Sequence, residues 1–316
     1  MTPIKTITVI GAGAMGACYA SKFYEMDKNC ISLVATSDRY DRLKEKGLIV
    51  NGKHYFFHVI RPEEKTPLSD FIIVTVKHHH LEEAIRDISN RVGEKSLILS
   101  IMNGIESEEQ IAVAYGADKV LYGVAVGIDA VRHANSITFS QQGKLFFGEA
   151  KNLHHTEPVM RVQSLFNRAG IIYEIPEDMI RILWWKFMIN VGINQASAAL
   201  SAPYSVFHNF QEARELMESA MREVITIAKA EGIHLFEEDI ENWNSFLSTL
   251  SPQGKTSMLQ DVEAKRKTEI EMFAGKVIEL GKKHGIPTPI NQTLYRLIKV
   301  IEGIYTQRGI IGHNQR

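Results

Sequence analysis

The sequence predicts an α/β fold in which a doubly wound, largely parallel sheet over residues 1–178 is followed by an all-α domain over residues 179–316. Three observations carry this expectation. Apolar strand-like runs alternate with helix-period segments up to about residue 180. A Gly-x-Gly-x-x-Gly turn joins the first of those runs to the first helix. Beyond Pro176, helix-period segments follow one another without a further strand signal.

The first strand, Ile7-Thr8-Val9-Ile10, runs into Gly11-Ala12-Gly13-Ala14-Met15-Gly16 and then into a helix over residues 17–26. Strand, glycine turn and helix in this order form a dinucleotide-binding, Rossmann-type pattern. Gly11 permits the tight turn, Gly13 lets backbone N–H groups approach a pyrophosphate, and Gly16 lets the helix pack closely on the strand. The second strand, residues 31–35, leads into Thr36-Ser37-Asp38-Arg39 and not directly into an acid. An acid at that point would hold a ribose 2′-hydroxyl and repel a 2′-phosphate, whereas hydroxyls and an arginine accept the phosphate. Ser37 and Arg39 are therefore candidate cofactor contacts, and NADP is expected over NAD.

In residues 48–59 an Asn51-Gly52 pair between β-prone segments predicts a type I′ hairpin, added antiparallel to the sheet. Residues 71–76 and 96–101 are continuous apolar runs, as strands covered on both faces should be. Residues 120–147 read as extended segments joined by turns, with Gly143 a turn residue. Helices are expected over 179–200, 209–231, 237–250, 258–284 and 290–304.

Open α/β sheets bind ligands beyond the carboxyl ends of their strands, which turns attention to Lys77 and Asn103 after the two apolar runs. Lys77 suits nicotinamide or ribose oxygens; Asn103 suits the nicotinamide ribose or the substrate. His78, His79 and His80 cannot converge on one ion from a helix start, and no acid or cysteine is spaced to help them, so no metal is expected.

In the helical half, Lys186, Asn190 and Asn194 recur at four-residue spacing in an apolar run and so share one helix face. Burying such groups without partners costs roughly 2–7 kcal/mol each, so the stripe needs an internal network or a polar ligand. Ser257 and Asp261 are also at helical spacing, and Glu269 falls about three turns beyond Ser257 if that helix is continuous. Alone, this last segment is a charged amphipathic helix.

With 316 residues, 45% hydrophobic and 23% charged, and a formal net charge of −1, the chain has room for two domains and shows neither a nucleic-acid footprint nor a membrane-surface patch. No apolar run is long enough to span a bilayer, and no signal-peptide core precedes the first strand, so a cytoplasmic location is expected. Cys18 and Cys30 lack metal-ligand spacing and read as buried small side chains in a reducing compartment. An apolar segment over 269–280 suits a subunit interface as readily as a core, and a homodimer is the expected assembly, with the site in a cleft between the domains.

In their order and spacing, Gly11-Ala12-Gly13-Ala14-Met15-Gly16, Thr75-Val76-Lys77, Asn103-Gly104, Trp185-Lys186-Phe187-Met188-Ile189-Asn190 with Asn194, and Ser257-Met258-Leu259-Gln260-Asp261 followed by Thr268-Glu269-Ile270 resemble the ketopantoate reductase family over nearly the whole chain. The resemblance implies NADPH-dependent reduction of 2-dehydropantoate to pantoate in the pantothenate and coenzyme A pathway. It implies Lys186 as the catalytic lysine, Glu269 as its acidic partner, Asn103, Asn190, Asn194 and Ser257 as substrate-orienting residues, and Lys77 near the cofactor. A small 2-oxo acid is the partner expected. Two positions depart from the family pattern. Thr36 stands where an arginine often meets the 2′-phosphate, and Gly254, beside Lys255, stands where some members place a substrate-touching asparagine. Reduction of another small 2-oxo acid, dehydrogenation of the 3-hydroxyacid or 6-phosphogluconate type, and a non-catalytic NADP sensor remain as alternatives.

Overall fold

A computed structural model describes residues 2–313 of the chain, with side chains for residues 2–305. The chain divides into two compact units, Met1–Leu183 and Trp184–Arg316, so the division falls a few residues beyond the expected 178.

The strands of the first unit are β1 (Ile7–Ile10), β2 (Ile31–Val34), β3 (Leu48–Val50), β4 (Lys53–Tyr55), β5 (His58–Ile60), β6 (Ser69–Val74), β7 (Val92–Ser100), β8 (Val120–Ile128), β9 (Val131–His133), β10 (Ser136–Thr138), β11 (Gln142–Gly148) and β12 (Tyr173–Glu174). Eight of them form the main sheet in the order β12-β11-β8-β7-β6-β1-β2-β5. Neighbours from β5 to β8 are parallel, β11 returns antiparallel to β8, and β12 lies parallel to β11. Helices α1 (Ala14–Met26), α2 (Ser37–Lys46), α3 (Leu81–Asp87), α4 (Ser107–Tyr115) and α5 (Glu157–Ala169) cover it. Side chains alternate along each strand, and both faces are apolar. Val9, Leu33, Phe71, Ile73 and Leu99 pack with Phe23 of α1 and Phe166 of α5. Ile10, Val34, Ile72, Val74 and Ile98 pack with Leu81 of α3 and Ile111 of α4. Burial on both faces explains why these strands read as unbroken apolar runs.

The hairpin at Asn51-Gly52 has positive φ at both residues, as a type I′ turn requires. It does not extend the main sheet. β3 and β4 belong to a second, four-stranded sheet of order β4-β3-β10-β9, in which β3 pairs parallel with β10. The reason lies in its apolar face: Leu48, Val50, Tyr55 and Ile137 join the core beneath α1. The Asn51 side-chain oxygen also accepts from the Phe139 N–H at 2.9 Å. Gly143 is likewise not a turn residue. It lies inside β11 at φ +61°, between residues 142 and 144, which pair with residues 128 and 126, and a Cβ there would stand 2.4 Å from the Val126 carbonyl.

Helix α6 (Met179–Ile189) leads into a π-turn at Asn190–Asn194 and then α7 (Gln195–Leu200). There follow α8 (Tyr204–Asn209), α9 (Gln211–Ala230), α10 (Glu237–Leu247), α11 (Ser257–Glu263), a second π-turn at Glu271–Gly275, α12 (Lys276–His284) and α13 (Pro289–His313). The expected continuous helix over 258–284 is therefore broken. Lys265 turns left-handed at φ +54°, and the Arg266 N–H and guanidinium close the end of α11 on the carbonyl and carboxylate of Asp261 at 2.8 and 2.9 Å. Glu269 consequently lies in the connection just ahead of the second π-turn and shares no helix with Ser257. Among the described residues no helix is long and apolar enough to cross a membrane.

Candidate functional site

In the first unit the strand order reverses between β1 and β6, and the segments leaving these two strands meet there. A Cβ on Gly11, at φ +97°, would stand 2.6–2.8 Å from the Thr75 and Val76 backbone, so only glycine lets the turn pass β6 this closely. A Cβ on Gly16 would lie 2.4 Å from the Gly11 carbonyl and 2.5 Å from Thr75 Oγ1. Thr75 Oγ1 donates to that carbonyl at 2.7 Å, tying the glycine turn to β6. Gly13 has its nearest neighbour 3.7 Å from the Cβ position, so its surface stays open where a pyrophosphate would approach the start of α1. Ala14 and Met15 open α1, and both are half-buried.

Ser37 begins α2, exposed and at a positive φ of 48°, and Arg39 follows half-buried. The Arg39 pKa is lowered first by burial and then by the positive charges of Arg132 and Arg42. Arg132 belongs to β9 of the second sheet. Its Nη1 donates to the Ala12 carbonyl at 3.1 Å, and its Nε donates to the Ala134 carbonyl at 2.8 Å. Like charges gathered beside a glycine turn repel one another, and a phosphate monoester placed there would offset that repulsion.

Lys77, half-buried, leaves β6 and caps the short 3-10 turn His78–His80, its carbonyl accepting from the His80 N–H at 2.8 Å. Asn103, also half-buried, follows β7, and the chain turns at Gly104, φ +94°, before α4. The first unit thus brings the glycine turn, Ser37, Arg39, Lys77 and Asn103 to the segments that leave the carboxyl ends of β1, β2, β6 and β7.

In the second unit, Lys186 sits in the last turn of α6, half-buried, and burial lowers its pKa to about 8. Asn190 and Asn194 are buried and bound the first π-turn. The wider π-turn rotates back part of the offset that four α-helical residues accumulate, which keeps the three polar residues closer to one line than a regular helix would. Gly192 lies at the closest approach of this turn to α9: a Cβ there would meet Met221 at 2.4 Å and the Met217 carbonyl at 3.0 Å. From below, Gln195 donates to the Val191 carbonyl and, at 3.0 Å, to Asn291 Oδ1, while Asn291 donates to Glu223 at 2.7 Å.

The π-turn carrying Asn190 and Asn194 packs against α11, whose first residue is Ser257, and against the second π-turn, which begins two residues after Glu269. Ser257 is exposed; Thr256, its N-cap, is buried, accepts from the Leu259 N–H at 3.1 Å and lies 3.2 Å from Ser197 Oγ. Glu269 is half-buried. The residue before it, Thr268, gives both its N–H and its hydroxyl to Glu302 Oε1, each at 2.7 Å. At Gly254, a Cβ would lie 2.7 Å from the Tyr204 ring, and the Tyr204 N–H donates to the Gly254 carbonyl at 3.0 Å.

Thr75 stood in the sequence as part of a motif and acquires a function only from the contact across the sheet. Arg132 and Tyr204 carry no sequence signal, since each reaches its position through a contact distant along the chain; Arg42 stands one turn from Arg39 on α2. Among the described residues no group of three or more His, Cys, Asp or Glu side chains is placed to hold a metal ion.

Family models described as ketopantoate reductase PanE/ApbA and its C-terminal domain match residues 7–152 and 178–302. A 2-dehydropantoate 2-reductase of Streptococcus pyogenes is 25% identical over 302 residues, covering 94% of this chain and 98% of the relative. A D-mandelate dehydrogenase solved with NADH and anilino(oxo)acetate superposes with a TM-score of 0.85 at 22% identity, covering 94% of this chain and 98% of that one. The dimeric ketopantoate reductase of Staphylococcus aureus superposes with a TM-score of 0.80 at 21% identity, covering 94% and 99% of the two chains.

Proposed function

The chain belongs to the ketopantoate reductase family, and from that membership we propose that it reduces a 2-oxo acid, 2-dehydropantoate foremost, to the 2-hydroxy acid with NADPH. The observation that carries this reading is Lys186, an ammonium whose pKa burial brings to about 8, at the head of a stripe continued by Asn190 and Asn194. The reduced nicotinamide supplies the hydride, and the protein contributes alignment and a proton. Lys186 polarises the ketone oxygen and passes its proton to the alkoxide that develops there; a donor with a pKa near the working pH does so with little driving force lost. Asn190, Asn194 and Ser257 orient the carboxylate and hydroxyl as neutral partners, without locking Lys186 in an ion pair. Glu269 is the acidic partner that keeps positive charge favourable in the site and limits the fall of the Lys186 pKa; Lys186 recovers its proton from solvent after turnover.

The first unit is the dinucleotide-binding half in this reading. Gly13 and the start of α1 receive the pyrophosphate, Lys77 and Asn103 meet the nicotinamide riboside, and Ser37, Arg39 and Arg132 take the 2′-phosphate. The gathering of cations around Arg39 supports NADP over NAD despite Thr36 at the family's arginine position. A cytoplasmic homodimer is the form proposed, in keeping with the dimeric relative from S. aureus.

A second reading, reduction of a 2-oxo acid with an aryl side chain, draws on the Tyr204 ring lying over Gly254 where some relatives carry an asparagine, and on the mandelate dehydrogenase likeness. Loss of NADPH absorbance decides between them. Rapid, NADPH-selective turnover of 2-dehydropantoate supports the first reading; turnover of phenylglyoxylate but not 2-dehydropantoate supports the second. Tight NADPH binding with neither substrate consumed would leave a dinucleotide sensor.

A further inference from the structure

Glu108, the second residue of α4, is only 2% exposed, and nothing in the proposed chemistry uses it. Burial pushes its pKa up to about 7, against the opposing pull of the Ser107 hydroxyl and backbone N–H groups. A group of this kind is costly to keep in an interior unless its hydrogen bonds accomplish something.

Its bonds form a chain. Ser107 Oγ donates to Glu108 Oε2 at 2.9 Å; Ser100 Oγ lies 2.7 Å from Ser107 Oγ; the Met102 N–H donates to Ser100 Oγ at 3.4 Å. Ser107 Oγ is the donor to Glu108, and each serine hydroxyl has one proton to give. The Ser107 proton is therefore committed to Glu108 and the Ser100 proton to Ser107, which leaves the Ser100 lone pairs turned toward the Met102 N–H. Polarity is thus set at Glu108 and read out at the peptide one residue before Asn103. The two serines bracket the segment 101–106, which leaves β7, turns at the positive-φ Gly104 and enters α4. Gly123 of β8 allows this close assembly, since a Cβ there would stand 2.4 Å from the Ser100 carbonyl.

We infer that Glu108 is a positioning residue, which through Ser107 and Ser100 fixes the segment carrying Asn103 in the geometry that the reduction uses. The inference rests on the proposed role of Asn103. A serine pair without the carboxylate is free to reverse its hydrogen bonds; Ser100 Oγ then has to accept from Ser107 as well as from the Met102 N–H, and its own proton must find another acceptor near the 101–106 segment. A displacement of Asn103 by up to about one ångström follows, enough to slow a hydride transfer appreciably.

The test is a double-mutant cycle on kcat/KM for the reduction, joining Glu108→Leu with Asn103→Ala, with melting temperatures measured in parallel. Expected is a loss of about tenfold or more for Glu108→Leu in the wild-type background, shrinking to about twofold or less when Asn103 is already alanine. Glu108→Gln, whose amide oxygen still accepts from Ser107, restores most of the loss. Should Glu108→Leu fail to fold, Ser107→Ala takes its place in the cycle, because it cuts the chain without removing a buried charge. Equal losses in both backgrounds would overturn the inference while leaving the role of Asn103 intact. Undiminished turnover in Asn103→Ala alone would instead remove Asn103 from the site, and the positioning role of Glu108 with it.

Discussion

Arg132 reaches from β9 to donate a hydrogen bond to the Ala12 carbonyl at 3.1 Å, so the second sheet supports the first glycine turn directly. Its charge also falls on Arg39, whose pKa it helps burial to lower. A bound 2′-phosphate would relieve that repulsion. Arg132→Ala and Arg39→Ala should each weaken NADPH by about tenfold or more while changing NADH far less, since a charge-assisted hydrogen bond is worth about 1.5–3 kcal/mol. Titrations of nicotinamide fluorescence with the two cofactors measure this; parallel losses for both would show that the arginines support the turn and not the phosphate.

Lys186→Ala should lower kcat by about 10²-fold or more, the usual contribution of a positioned proton donor, with NADPH affinity little changed. Single-turnover or steady-state kcat and an NADPH dissociation constant, measured separately, distinguish these two quantities.

The pH dependence follows from the same lysine. In the proposed mechanism the reduction uses the protonated ammonium, and burial lowers its pKa to about 8, so kcat/KM for reduction should fall as pH rises through about 8. In the reverse direction the neutral amine is the active form, and oxidation of the hydroxy acid should rise over the same interval. A reduction rate that stays level from pH 7 to 10 would contradict this assignment.

Stability carries a linked signature. Unfolded, Lys186 titrates near its ordinary value of about 10.4. Between about 8 and that value the unfolded chain binds a proton that the folded chain does not, so folding stability from this group rises with pH across the window and is penalised in full below about 8. Lys186→Met should therefore raise the melting temperature at pH 7 and lose most of that advantage at pH 10, as calorimetry at the two pH values would reveal.

Gly192→Ala should destabilise the chain by about 1–3 kcal/mol, the usual cost of overpacking, because its Cβ would enter the space of Met221 and meet the Met217 carbonyl. Turnover should fall further than the stability loss explains, since the displaced backbone carries Asn190 and Asn194. Urea unfolding and steady-state kinetics on the same variant check both parts.

Much of this was legible from local pattern. The glycine turn and the two apolar runs mark β1, β6 and β7 as buried strands, because burial on both faces leaves a compositional trace; their order in the sheet comes from the structure. The four-residue spacing of Lys186, Asn190 and Asn194 identifies a polar helix face, although not the π-turn within it, which lies where Gly192 approaches α9 and has no local signal. The break between Ser257 and Glu269 was hidden for a related reason. Residues 258–284 keep a helical period throughout, and only the closure of Arg266 on Asp261 and the left-handed Lys265 end the helix. The Asn51-Gly52 pair specifies its turn but not its sheet, since the partner strand β10 lies more than eighty residues away. The reach of Arg132 to Ala12 is equally non-local.

The π-turn at Asn190–Asn194 holds one residue more than an α-helical turn. Five residues at that wider pitch advance the chain round the axis about as far as four α-helical ones, so removing one of them would let the segment revert to regular helix with Gln195 still facing Asn291 and Ser197 still facing Thr256. A single-residue deletion there should therefore be tolerated by the fold far better than one within α6 or α9, with its cost falling on the polar stripe and not on the packing of α7.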